Sequence, residues 1–161
     1  MESRFESERD LLRHTLATLA YRAEKTLRDA PPGFSSLRVA EGPRTPGQIL
    51  AHMGDLMDWA LSLAKGAHVW RDTPPGAWDD DVARFFESVR ILDAFLASGV
   101  EPGAAPGKLF QGPIADSLTH VGQIAYLRRI AGSPVRGENY FRADIVPGRV
   151  GPDQPARRVE F

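Results

Sequence analysis

The chain predicts an all-α fold, a four-helix bundle with long connections and an irregular C-terminal tail. Four stretches repeat apolar residues at three- and four-residue steps, the period of a helix with one buried face. Each is bounded by proline, glycine or capping residues, and the tracts between them are rich in Pro and Gly. No repeat, low-complexity tract or linker divides the 161 residues, so a single domain over 1–161 is expected, with the tail 133–161 packed on the bundle.

The first helix runs from about Glu2 to Asp29, with Phe5, Leu12, Leu16, Leu19, Ala23 and Leu27 as its buried stripe and His14 on the flank. Pro31-Pro32-Gly33 stops it. The loop from Phe34 to Pro43 offers Phe34, Leu37 and Val39 as plugs into the core. Thr45-Pro46-Gly47-Gln48 announces the second helix: Thr45 as N-cap, Pro46 in the first turn, and Gln48 where a capping box wants Glu or Gln. Ile49, Met53, Leu56, Ala60 and Leu63 face inward, and Gly66 closes the helix. The Trp- and Pro-rich connection from His68 to Trp78 is expected to cover one end of the core.

Asp79-Asp80-Asp81 starts the third helix, with acidic side chains at its positive end. Val82, Phe85, Phe86, Val89, Leu92 and Leu96 form its stripe, and Ser98-Gly99 ends it. Lys108-Leu109-Phe110 reads as a short turn before the fourth helix, which spans Gly112 to Gly132 with Pro113 in its first turn. Ile114, Leu118, Val121 and Ala125 mark its apolar side. Arg128 and Arg129 suit its negative end. Gly122 is expected to permit close helix packing. In the tail, Tyr140, Phe141, Ile145 and Val146 are the expected contacts with the bundle.

Composition narrows the function. Apolar residues make up 42% and charged residues 25%, and the formal net charge is −1. No basic face is evident, so neither nucleic acid nor an anionic membrane is an expected partner. No apolar run approaches the roughly 20 residues that span a bilayer. The charged opening MESRFESERD does not resemble a secretory leader, and the expected location is cytoplasmic. Cysteine is absent, so any metal site must use His, Asp, Glu, main-chain oxygen or water.

Asp116 and His120 stand four apart on the fourth helix, one turn apart on one face. His52 shares the helical angle of Ile49 and Leu56, so it points inward from the second helix. Two imidazoles and one carboxylate can hold a divalent ion and leave positions open for water or substrate. Asp55, one turn beyond His52, is a substitute ligand or a hydrogen-bond partner of one. Gln123, three past His120, can reach a ligand's free nitrogen. Tyr126 and Trp59 line either a pocket or the core. The plainer alternative keeps each histidine as a hydrogen-bonded core residue, with Asp116 compensating the helix dipole or pairing with Arg44.

Thr45-Pro46-Gly47-Gln48-Ile49-Leu50-Ala51-His52 resembles the start of the second helix in the DinB/YfiT-like family of damage-inducible-type metalloenzymes, where that helix carries a metal-binding histidine. Thr119-His120-Val121-Gly122-Gln123 resembles the family's second signature, and the two histidines stand about 68 residues apart in the same order. The resemblance covers about Leu12 to Gly132. It implies His52 and His120 as metal ligands. The family's usual third ligand is a histidine where this chain has Asp116, a departure that leaves the metal open among Zn²⁺, Ni²⁺, Mn²⁺ and Fe²⁺.

The same resemblance implies a homodimer and a metal-dependent enzyme that transfers a low-molecular-weight thiol to an electrophile, with metal-assisted hydrolysis as the alternative. The residues themselves do not choose between those reactions. They also allow a non-catalytic bundle that binds a small molecule or a partner chain through a surface around Trp70 and Trp78. Glu138, Asn139 and Tyr140 are placed where the tail can cover the site.

Overall fold

The computed structural model describes the backbone of residues 4–161 and the side chains from Glu6 onward. The place expected for Phe5 in the first helix's stripe therefore lies outside the described residues. Four long helices account for about half of the chain: α1 (Arg4–Leu27), α2 (Pro46–Ala64), α3 (Trp78–Ala97) and α5 (Ala115–Ile130), the last preceded by a short α4 (Pro106–Leu109). Among the described residues no helix is long and apolar enough to cross a membrane.

The expected stripes meet in one core. Leu12, Leu16, Leu19 and Leu27 of α1 join Met53, Met57 and Ala60 of α2, Phe85, Val89 and Leu96 of α3, and Ile114, Val121 and Ile124 from the α5 end. The helices close into a ring in which α2 packs on α3 and α5, while α1 packs on the same two. α1 therefore lies diagonal to α2, and α3 to α5. The loops after α1 and after α3 cross those diagonals, which accounts for their length. A minimal up-and-down bundle would place each helix beside its successor.

Local chemistry sets the start of α2 as its sequence predicts. The Gln48 N–H donates to Thr45 Oγ1 at 3.3 Å, and Gln48 Oε1 accepts from the Thr45 N–H at 2.8 Å, a reciprocal capping box. The helix before α5 differs from expectation. Its helical backbone begins at Pro106 and passes through a π-helical turn, Phe110–Ile114, so Pro113 sits inside the helix and not in its first turn. Proline has no N–H to donate and its ring crowds the carbonyl four residues back, here that of Leu109. A wider turn relieves that crowding, which is why the bulge falls there.

The far end of α5 is locked by a residue that the sequence placed at the dipole. Arg128 is buried, and all five of its donors are used. Nη1 donates to the carbonyls of Thr26 and Arg28 at 2.9 and 2.8 Å, and Nη2 to that of Asp29 at 3.1 Å. Nε and Nη2 also reach the Ser133 carbonyl and hydroxyl. The guanidinium thus caps the carbonyl end of α1 from α5, and burial pushes its pKa down from the usual arginine range. Gly132, at φ 74°, turns the chain as the Ser133 N–H returns to the Arg128 carbonyl.

α2 and α3 are joined by an ionic network. Arg84 Nη2 donates to Asp55 Oδ1 at 2.5 Å and to Asp58 Oδ2 at 2.9 Å, and Nη1 reaches the Ala51 carbonyl. The guanidinium lies over Gly54, where an added Cβ would stand 2.8 Å from Nη1.

The tail packs against α1. Glu138 is buried and accepts from the Tyr21 hydroxyl at 2.6 Å, Lys25 Nζ donates to the Pro155 carbonyl, and Val150 enters the core. Several apolar expectations fail here and in the first loop. Phe141 is 98% exposed, and Val146 and Val39 are exposed as well, because their segments run over the surface and the plugging falls to Val150 and Phe34. Trp78 is not part of a free surface: it packs edge-on against Phe34 at 5.5 Å.

Replacing Arg128 by Ala leaves three carbonyls without their donor, one in the last turn of α1 and two just beyond it. Urea denaturation is expected to show a loss of about 2–4 kcal/mol, and a loss below about 1 kcal/mol would contradict the capping role. Gly54→Ala gains about 1 kcal/mol in helix propensity. Displacing the Arg84 guanidinium should outweigh that gain, for a net destabilisation of about 1 kcal/mol or more in the same assay; a stabilised variant would contradict the close approach.

Candidate metal centre

The adjacency of α2 and α5 brings His52, Asp116 and His120 together. One ligand atom from each lies within 4.8 Å of the other two. His52 Nε2 stands 3.7 Å from Asp116 Oδ2, and His120 Nε2 stands 3.6 Å from Asp116 Oδ1. These separations are too long for direct hydrogen bonds. They are close to the spacing of about 3.4 Å between two ligands that share a tetrahedral ion at about 2.1 Å from each. The two imidazoles cross edge to face, with centroids 4.9 Å apart.

The site is graded from dry to wet. His120 is buried, His52 is 14% exposed at its side chain, and Asp116 is 47% exposed at the rim. His120 carries the sharpest polar signature. Its Nδ1–H donates to Gln123 Oε1 at 2.8 Å, which leaves the Nε2 lone pair facing the other two residues. That nitrogen is buried and has no hydrogen-bond partner. An unpaired buried polar atom costs about 1–3 kcal/mol, a cost that a shared cation removes. A carbonyl-type oxygen on the distal nitrogen is also the usual way a ligating imidazole is oriented. The three residues therefore fit a divalent ion and can hold one.

His52 is prepared to ligate in its neutral form. Burial holds its pKa below the ordinary histidine value, helped by the Arg44 charge and the neighbouring His120 ring and opposed by Asp116. Its ring packs edge-on against Trp70 at 5.5 Å, and Trp70 in turn meets Trp59 at 5.7 Å.

The other sequence candidates separate cleanly. Gln123 reaches His120, as its spacing suggests. Asp55 turns to the α2–α3 side: its oxygens accept from the Thr73 N–H, the Thr73 hydroxyl and Arg84, so it orders the 65–77 connection and supplies no ligand atom to the group. Gly122 is exposed with nothing within 4 Å of an added Cβ, so it borders open space rather than a helix contact. Tyr126, 63% exposed, lines the cavity beside His120 and is no core residue. Glu138 and Tyr140 lie against α1 at Tyr21, and no tail residue lines the cavities beside His52 and His120. Sequence reasoning missed Trp70 as the wall behind His52; a tryptophan in a connecting loop carries no periodic signal.

Gln123→Leu should fold normally and weaken Zn²⁺ or Co²⁺ binding by about 10–100-fold in a competition titration against a chromophoric chelator. An unchanged affinity would contradict its orienting role. For His52, the unfolded chain binds more protons than the folded one just below pH 6.5, so folding stability falls as pH drops through the folded-state pKa. Chelator-treated wild type is expected to lose more stability between about pH 7 and about pH 5 than His52→Gln does. Equal losses would show that His52 is not held neutral.

No protein-family model, curated protein or solved structure matches the chain.

Proposed function

We propose that this chain is a divalent-metal-dependent enzyme of the DinB/YfiT-like kind, acting on a small molecule at the α2–α5 face. The observation that carries this reading is the buried, unpartnered Nε2 of His120, fixed through Gln123 and converging with His52 and Asp116. Thiol transfer from a low-molecular-weight thiol is the reaction favoured by the resemblance at Thr45–His52 and Thr119–Gln123; metal-assisted hydrolysis is the runner-up.

A divalent ion in such a site supplies a Lewis acid that acidifies a coordinated water or thiol near neutral pH. The chain's own contribution is positional. His52 and His120 present ring nitrogens from two helices, and Gln123 orients one of them. Asp116 adds the single negative charge at the solvent rim of the group. Two nitrogens and one oxygen, with no sulfur, suit Zn²⁺, Fe²⁺, Mn²⁺ or Ni²⁺. The resemblance also implies a homodimer, which sedimentation velocity reads directly.

Protein purified without a histidine tag is expected to carry near-stoichiometric metal, or to take it up with a rise in melting temperature. Folded His52→Ala and His120→Ala variants should lose both the metal and its effect. Loaded wild type should transfer a small thiol to an aryl halide faster than either variant. Wild type that ignores all four ions would instead support a bundle with no metal chemistry, and metal uptake without turnover of thiol or ester substrates would support a metal-binding scaffold.

A further inference from the structure

The metal-ligating group sits between two cavities. One, about 690 Å³, opens beside His120 between the 39–44 loop and α5; the other, about 340 Å³, opens beside His52 under the Thr73–Pro75 segment. Both volumes suit a small molecule. Arg44 lines both, so one guanidinium stands at the junction.

What sets that exposed guanidinium apart is its position between the two cavities. Arg84 is matched by Asp55 and Asp58, and Arg13 by Asp93. Among the described residues Arg44 makes no hydrogen bond or ion pair, and it does not pair with Asp116, the partner considered from the sequence. A divalent ion with a single carboxylate would leave the site positive, and Arg44 adds a further unbalanced charge. The rest of the larger cavity's wall is mostly apolar: Val39, Pro43, Ile49, Tyr126 and Leu127.

From this arrangement we propose that the larger cavity binds a small organic carboxylate with an apolar body, its carboxylate held by Arg44 and its body laid on Ile49, Leu127 and Tyr126. Arg44 is then a specificity-determining residue that orients the substrate's charged end and leaves the rest of the molecule alongside His120. Guanidinium recognises carboxylate through two parallel N–H donors, which fixes direction as well as charge. This inference rests on the metal-enzyme reading, because it assigns the substrate class for that same site.

Two probes of equal shape test it: phenylacetate and its neutral counterpart phenylacetamide, titrated calorimetrically into Zn²⁺-loaded wild type and Arg44→Gln. Zn²⁺ affinity is measured first on both proteins. Phenylacetate should bind wild type roughly tenfold or more tighter than phenylacetamide, and Arg44→Gln should abolish that preference while keeping its Zn²⁺. Zn²⁺ binding with no measurable phenylacetate binding, no preference between the probes, or a preference that survives in Arg44→Gln overturns the carboxylate subsite alone. A wild type that takes no Zn²⁺ or other divalent ion overturns the metal reading and this inference with it.

Discussion

Everything at the site depends on the angular register of α5 against α2. A helix turns about 100° per residue, so a slip of one position would carry Asp116 and His120 away from His52. Two non-local devices hold the register. The π-helical turn at Phe110–Ile114 takes up the misfit of Pro113 and delivers Ile114 and Ser117 into the core, which leaves Asp116 at the rim. At the other end Arg128 grips carbonyls in and just beyond the last turn of α1. Between these ends, the buried Val121, Ile124 and Leu127 allow only one face of α5 to meet the bundle.

With that register fixed, electrostatics does the rest. Gln123 Oε1 accepts from Nδ1 of His120, which turns its Nε2 toward the other two residues, and burial holds the pKa of His52 below the ordinary histidine value. Asp116 supplies charge from the wet side. The other acidic residue near His52, Asp55, is engaged by Thr73 and Arg84 and stands outside the group. Arg44 stands alone above both cavities, so an anionic visitor meets an unpaired cation beside the ligand group.

How much of this was legible beforehand follows from how local each feature is. The capping box at Thr45 and Gln48 involves neighbours in sequence, and it formed as read. The stripes of α1, α2 and α3 obey helical period, and so does the i, i+4 pair Asp116 and His120. Even Gln123 was visible, because three residues make one turn. Long-range choices were not. The diagonal placement of α1 against α2 depends on how four stripes share one core, which no single stripe encodes. The bulge at Pro113 depends on helix already present before it, and an arginine near a helix end looks the same whether it meets water or, like Arg128, the carbonyls of another helix. Phe141 shows the reverse error: an aromatic in the tail suggests packing, yet the neighbouring Glu138 and Val150 make the contacts.

The central claim is that two imidazoles and one carboxylate, from α2 and α5, share one ion. X-ray absorption spectroscopy on the Zn²⁺-loaded protein tests it most directly. The account predicts a first shell of light atoms at about 2.0–2.1 Å with the multiple scattering of two imidazoles, reduced to one in His120→Ala. A shell with no imidazole signature, or one that is the same in wild type and His120→Ala, would contradict it.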